Sequence, residues 1–157
     1  MQLSALFSPD RILLGLRAGN KDALISELAR RVARRAGFEA QTIGTALSNR
    51  ELLGSTGIGR GVALPHARIA GLKHFVALFA RLETPIAYEA IDEAPVDLVF
   101  LLLIPGESGN EHLAALAAIS RLMRDEEIAS RLREAKSAPE VSAVLKQSEE
   151  GAEEPPR

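Results

Sequence analysis

The sequence contains no cysteine. That excludes disulfides, thiolate metal sites and a cysteine nucleophile, and is compatible with a reducing compartment. Met1 to Pro9 shows no basic stretch followed by an apolar run, so no secretion signal is expected. Nor is any apolar run long enough to cross a bilayer: the longest, Val96 to Pro105, is interrupted by Asp97. A cytoplasmic location without membrane insertion is the resulting expectation. Neither sign of charge dominates. The formal net charge of −2 supplies no electrostatic reason to bind nucleic acid. Arg30, Arg31, Arg34 and Arg35 form a local basic cluster, which reads as a solvated helix face or, more sharply, as a docking patch for an acidic partner. The three histidines lack metal-ligand spacing, so no metal site is expected.

What is present suits one soluble domain with a full core: 157 residues, 46% apolar and 25% charged. Arg11 to Leu16 reads as a strand. Asn20 is a good N-cap, Asp22 suits the positive end of a helix, and Leu24, Leu28, Val32 and Ala36 recur at helical spacing up to a Gly37 cap. Thr42 to Leu53 reads as a second helix. Gly54 to Gly61 holds four glycines in eight residues and is read as irregular. Val62 to Leu64 and His74 to Leu82 read as strands, joined by a connection over Glu83 to Glu93 to a strand buried on both faces, Val96 to Ile104. Ser108 or Asn110 caps a helix to about Arg124. Another helix spans Glu126 to Ala135, and Ser137 with Pro139 opens a last one. The pattern predicts an α/β fold: a single-domain sandwich with a central mixed β-sheet flanked by helices over residues 1–147. Residues 148–157 read as a disordered acidic tail.

The informative segment runs from Gly54 through Pro65-His66-Ala67-Arg68. It is not a nucleotide loop, since no Gly-Lys-Ser/Thr follows, and it lacks dinucleotide spacing. It does offer backbone N–H groups freed by glycine, hydroxyls from Ser55 and Thr56, and a proline that stiffens the chain before His66. A neutral imidazole near pH 7 is nucleophilic, and phosphoryl transfer asks chiefly for positioning and for donors to oxygen. His66 is therefore read as a phosphoryl acceptor needing no cofactor.

Arg50-Glu51, Gly54-Ser-Thr-Gly-Ile-Gly and Gly61-Val-Ala-Leu-Pro-His66 resemble the active-site signature of the mannitol/fructose-class EIIA proteins of the bacterial phosphotransferase system. The likeness extends from about Phe7 to Lys146, through Leu82-Glu-Thr-Pro-Ile86 and His112-Leu113. It implies a phosphohistidine at His66, on Nε2, with His112 and Arg50 as catalytic partners. Ser55, Thr56, Gly57 and Arg68 are the phosphate-binding candidates. Two positions depart from the family: Arg60 replaces a common asparagine, adding positive charge near the site, and Ala67 replaces a common glycine.

The chain's size and its Leu-Glu-Thr-Pro-Ile86 segment look like the nitrogen-regulatory branch. That implies phosphate from an HPr-like carrier of the nitrogen branch (NPr) and control of targets such as potassium transporters or sensor kinases. The alternative is a sugar-specific EIIA that passes phosphate to an EIIB during uptake.

Overall fold

The computed structural model describes residues 2–153. The chain opens with a short helix, α1 (Leu3–Leu6), and a 3₁₀ turn (Pro9–Arg11), neither of which shows in the sequence pattern. Strand β1 (Ile12–Leu16) leads to helices α2 (Lys21–Ala36) and α3 (Ala40–Leu52). Three short strands follow: β2 (Gly57–Gly59), β3 (Val62–Ala63) and β4 (His66–Ile69). The long strands β5 (Val76–Ile86) and β6 (Val96–Pro105) precede α4 (Glu111–Leu122), α5 (Glu126–Glu134) and α6 (Ala138–Glu153).

Helix ends follow the expected chemistry. The Asn20 side chain accepts the Ala23 N–H at 2.8 Å. Gly37 takes a left-handed conformation (φ 76°) and returns its N–H to the Ala33 carbonyl, satisfying an otherwise orphaned acceptor. Asp125 caps α5 by accepting from Glu127 and Ile128, and Ser137 accepts the Glu140 N–H at 3.2 Å to start α6.

The sheet runs β1-β5-β6-β3-β2, with β4 also paired to β6. Strands β1 and β5 are parallel, β5 and β6 antiparallel, and β3 and β4 both parallel to β6, so the sheet is mixed. Alternation along β6 explains its unbroken apolar character. Val99, Leu101 and Leu103 face the core under α2 and α3. Leu98, Phe100, Leu102 and Ile104 face the core under α1, α4, α5 and α6. Phe100 sits there edge-on to Phe7 and Phe79, with ring centroids 5.4 and 5.0 Å apart. No helix among the described residues is long and apolar enough to cross a membrane.

Three local differences from the sequence reading have physical causes. The glycine-rich stretch is not wholly irregular: β2 pairs with β3, and Gly57 lies so close to the 88–90 segment that a Cβ there would stand 2.8 Å from that of Ala90. β5 starts later, at Val76, and continues through Pro85, which is tolerated because the pairing with β6 is interrupted between Arg81 and Ile86. The segment from Ser148 is helical as far as Glu153 rather than a tail. α6 is anchored through buried Val141, Val144 and Leu145, and the Glu149 carboxylate accepts from the Ser4 N–H and hydroxyl. Residues 154–157, the rest of that predicted tail, lie outside the described residues.

Candidate functional site

β3 and β4 lie along the same edge of β6, Val62 and Ala63 opposite Leu98 and Val99, and His66 opposite Leu102. Leu64 and Pro65 form the break between them. Pro65 has no N–H to give, and its carbonyl accepts from Leu102 at 3.0 Å, while the Leu64 N–H turns aside to Thr56 at 2.9 Å. His66 is the first residue after this break. Its Nδ1 lies 2.8 Å from the Leu64 carbonyl. A carbonyl can only accept, so Nδ1 carries the proton and Nε2 keeps a free lone pair. The ring is half-buried, and burial is the main cause holding its pKa below the usual imidazole value. Electrostatic interactions with Arg50 and His112 act in the same direction, while the Leu64 bond and Glu51 oppose them.

Arg50 and His112 both act electrostatically on His66. Arg50 comes from the last turn of α3, where its Nη1 donates to the Gly54 carbonyl at 2.9 Å. His112 is the second residue of α4, at the end where unpaired N–H groups and the helix dipole favour an anion. Its Nδ1 is buried and finds no hydrogen-bond partner among the described residues. Arg50 and His112, the other two residues the sequence names as catalytic, thus belong to the electrostatic surroundings of His66.

The other candidates are engaged elsewhere. The Ser55 hydroxyl donates to the Tyr88 carbonyl at 2.9 Å and accepts the Gly57 N–H at 3.1 Å. Thr56 is buried, its N–H donates to the Glu51 carboxylate at 3.0 Å, and its hydroxyl donates to the other Glu51 oxygen. The Thr56 and Tyr88 hydroxyls are 3.1 Å apart. These groups shape the loop rather than face outward from it. Arg68 reaches the loop after β6, with four hydrogen bonds to Pro105, Ser108 and Gly109.

The sequence reading assigns no role to the group that locks this loop. The Glu51 side chain is only 6% exposed and pairs with the Lys21 ammonium at 2.9 Å. Lys21 also lies over the Tyr88 ring, 4.6 Å from its centroid. Burial and the Glu51 charge push the Tyr88 hydroxyl well above its usual pKa, so it stays a neutral hydrogen-bonding group. Glu51 sits inside the recognised motif, next to Arg50, which is the one signal that could have marked it. Lys21 and Tyr88 carry no local pattern.

The two departures from the family pattern are accommodated. Arg60 has a left-handed backbone (φ 59°), a conformation asparagine takes more readily than arginine. Its guanidinium donates to the Arg124 carbonyl at 2.8 Å, beyond the far end of α4, roughly 15 Å along the helix axis from His112. The expectation of extra charge near the site is thereby corrected. Ala67 is buried on β4 and is not among the positive-φ residues, so it carries no backbone strain.

The sequence pattern of the family described as phosphoenolpyruvate-dependent sugar phosphotransferase system, EIIA 2, matches residues 5–148. A nitrogen regulatory protein of Bradyrhizobium diazoefficiens is 43% identical over 145 residues, covering 92% of this chain and 95% of that one. A nitrogen regulatory protein of Pseudomonas aeruginosa is 36% identical over 146 residues, with coverage of 92% and 95%. The crystal structure of nitrogen regulatory protein IIA-Ntr from Neisseria meningitidis is similar with a TM-score of 0.87 at 34% identity, covering 91% of this chain and 98% of that one.

Proposed function

Since this chain belongs to the EIIA 2 family of the phosphoenolpyruvate-dependent sugar phosphotransferase system, we propose that it is a phosphohistidine switch, charged on Nε2 of His66 by an HPr-like carrier. The observation that carries this reading is the tautomer. With Nδ1–H committed to the Leu64 carbonyl, the nucleophilic lone pair stands on the other nitrogen, in a site whose electrostatics include Arg50 and His112. In the transfer, the carrier's N–P bond breaks as the Nε2–P bond forms, and the Nδ1 proton stays where it is. Arg50 offers a planar fork to the phosphoryl oxygens, and His112 offers a ring and a helix N-terminus.

Large apolar side chains stand exposed on the segments that carry the site. Leu52 and Leu53 end α3, Ile91 lies on the segment whose N–H meets Gly57, and Leu113 adjoins His112. They form the docking rim for the carrier and for a regulated partner. A phosphoryl group would set about −1.5 to −2 charges into that rim at neutral pH, which is how phosphorylation would change the set of partners bound. The nitrogen regulatory relatives support the regulatory branch, whose targets include potassium transporters and sensor kinases.

The test is phosphoryl uptake from labelled phosphoenolpyruvate, with the general enzyme and an HPr-like carrier supplied. The wild-type chain is expected to take up one phosphoryl group, and His66→Ala none, with an unchanged circular dichroism spectrum. Arg50→Ala and His112→Ala are expected to slow uptake without removing the acceptor. Full labelling of His66→Ala would overturn the assignment.

A further inference from the structure

Arg68 stands two residues after His66 on β4, and its guanidinium is occupied by one loop. Nη1 donates to the Pro105 carbonyl at 3.2 Å, the Ser108 carbonyl at 2.7 Å and the Ser108 hydroxyl oxygen at 3.4 Å. Nη2 donates to the Gly109 carbonyl at 3.3 Å. This loop leaves β6 and enters α4, whose second residue is His112. It approaches β4 at a second point too: a Cβ on Gly106 would stand 2.8 Å from the Ala70 Cα and 3.0 Å from the Ile69 carbonyl oxygen.

The start of α4 lacks a side-chain cap, although the loop before it is turned by the Ser108 N–H and hydroxyl, which both donate to the Pro105 carbonyl. Asn110 occupies the N-cap position, yet its side chain makes no capping hydrogen bond. The segment before it contains two glycines, Gly106 and Gly109, which leave the backbone free to turn. The loop's carbonyls converge instead on a planar donor fork reaching across from β4. A lysine ammonium, a point charge on a flexible stem, would not span the same set.

We propose that Arg68 is a positioning residue of the phosphotransfer site: by gathering the Pro105, Ser108 and Gly109 carbonyls it seats the first turn of α4 against β4 and holds the His112 ring beside His66. This rests on the reading of His66 as the acceptor and His112 as its partner, and it gives Arg68 a role that needs no contact with phosphate.

The test is a double-mutant cycle on uptake rate, joined to NMR of the full chain with ¹⁵N-labelled histidine. Arg68→Ala is expected to slow uptake on the order of tenfold or more, since small misplacements of a catalytic partner are costly. In a His112→Ala background the same change is expected to cost nothing further. The His112 ring signals are expected to shift in Arg68→Ala. Arg68→Lys, which keeps the charge but not the fork, should behave like Arg68→Ala. Gly106→Ala, which displaces the loop while leaving Arg68 in place, should give the same His112-dependent loss. Wild-type rates in Arg68→Ala or Arg68→Lys, an equal loss with and without His112, or unmoved His112 signals would each overturn the proposal. If the wild-type chain took up no phosphoryl group, the functional reading would fail, while the His112 signals would still report on the seating of α4.

Discussion

His66 combines two properties that oppose each other in water: it is half-buried, and it keeps a lone pair available. Protonating Nε2 would place a cation in a partly desolvated site already facing Arg50 and His112. The folded pKa therefore lies below the unfolded value of about 6.5, so the unfolded chain binds more protons in that range. The stability tied to the neutral ring is complete above about pH 6.5 and is lost as pH falls through the lower folded value. Urea unfolding is expected to show stability declining more steeply below that pH in the wild type than in His66→Gln, and an NMR titration should place the His66 midpoint below 6.5. Parallel pH slopes for the two proteins would show the ring to be unshielded. At this scale the proposed site residues His66, Arg50 and His112 could be named because they lie in recognisable motifs. The engagements of Ser55 and Thr56 were not, because a hydroxyl in a glycine-rich loop serves a nearby carboxylate as readily as a ligand. Residue type alone does not choose between them.

In the loop between α3 and β2, one carboxylate serves several donors. Glu51 satisfies the buried Thr56 N–H and hydroxyl and neutralises Lys21. Glu51→Ala would strand the Thr56 N–H, at about 1–3 kcal/mol for an unsatisfied buried group. It is expected to lower the urea midpoint and to slow phosphoryl uptake, while Glu51→Gln, which can still accept from Thr56, should lose less of both. Equal behaviour of the two variants would mean that the ion pair with Lys21, not the bonds to Thr56, holds the loop. Helices with strong caps, such as α2, could be read directly from Asn20 and Gly37. The four-residue strand β4 could not: its pattern of one buried residue after each half-exposed or exposed one is too short to count, and only β6 beside it makes it a strand. The turns of α6 past Ser148 were also hidden, since an acidic composition looks the same in a helix as in a free tail.

At the scale of the molecule, β6 contributes alternately to both cores, as β5 does, and its two-sided apolar character announced a covered sheet. The strand order did not follow from the sequence, because pairing partners such as β1 and β5 are far apart in the chain and joined by two helices and the site. Phe100 is fully buried at the centre of the three-ring cluster under α1 and the C-terminal helices. Phe100→Ala is expected to cost about 3–5 kcal/mol in urea unfolding with an unchanged slope. A loss under about 1 kcal/mol would mean that this layer closes over the void far better than packed cores usually do.

The two groups that act electrostatically on His66 come from opposite sides of the sandwich, Arg50 from the helical layer over one core and His112 from the layer over the other. The strand that carries His66, β4, pairs with β6 alone among the described strands and so forms an edge of the sheet. An anion lodged at that edge and gripped from both sides would act as a rivet through the rim, binding the two coverings to each other directly.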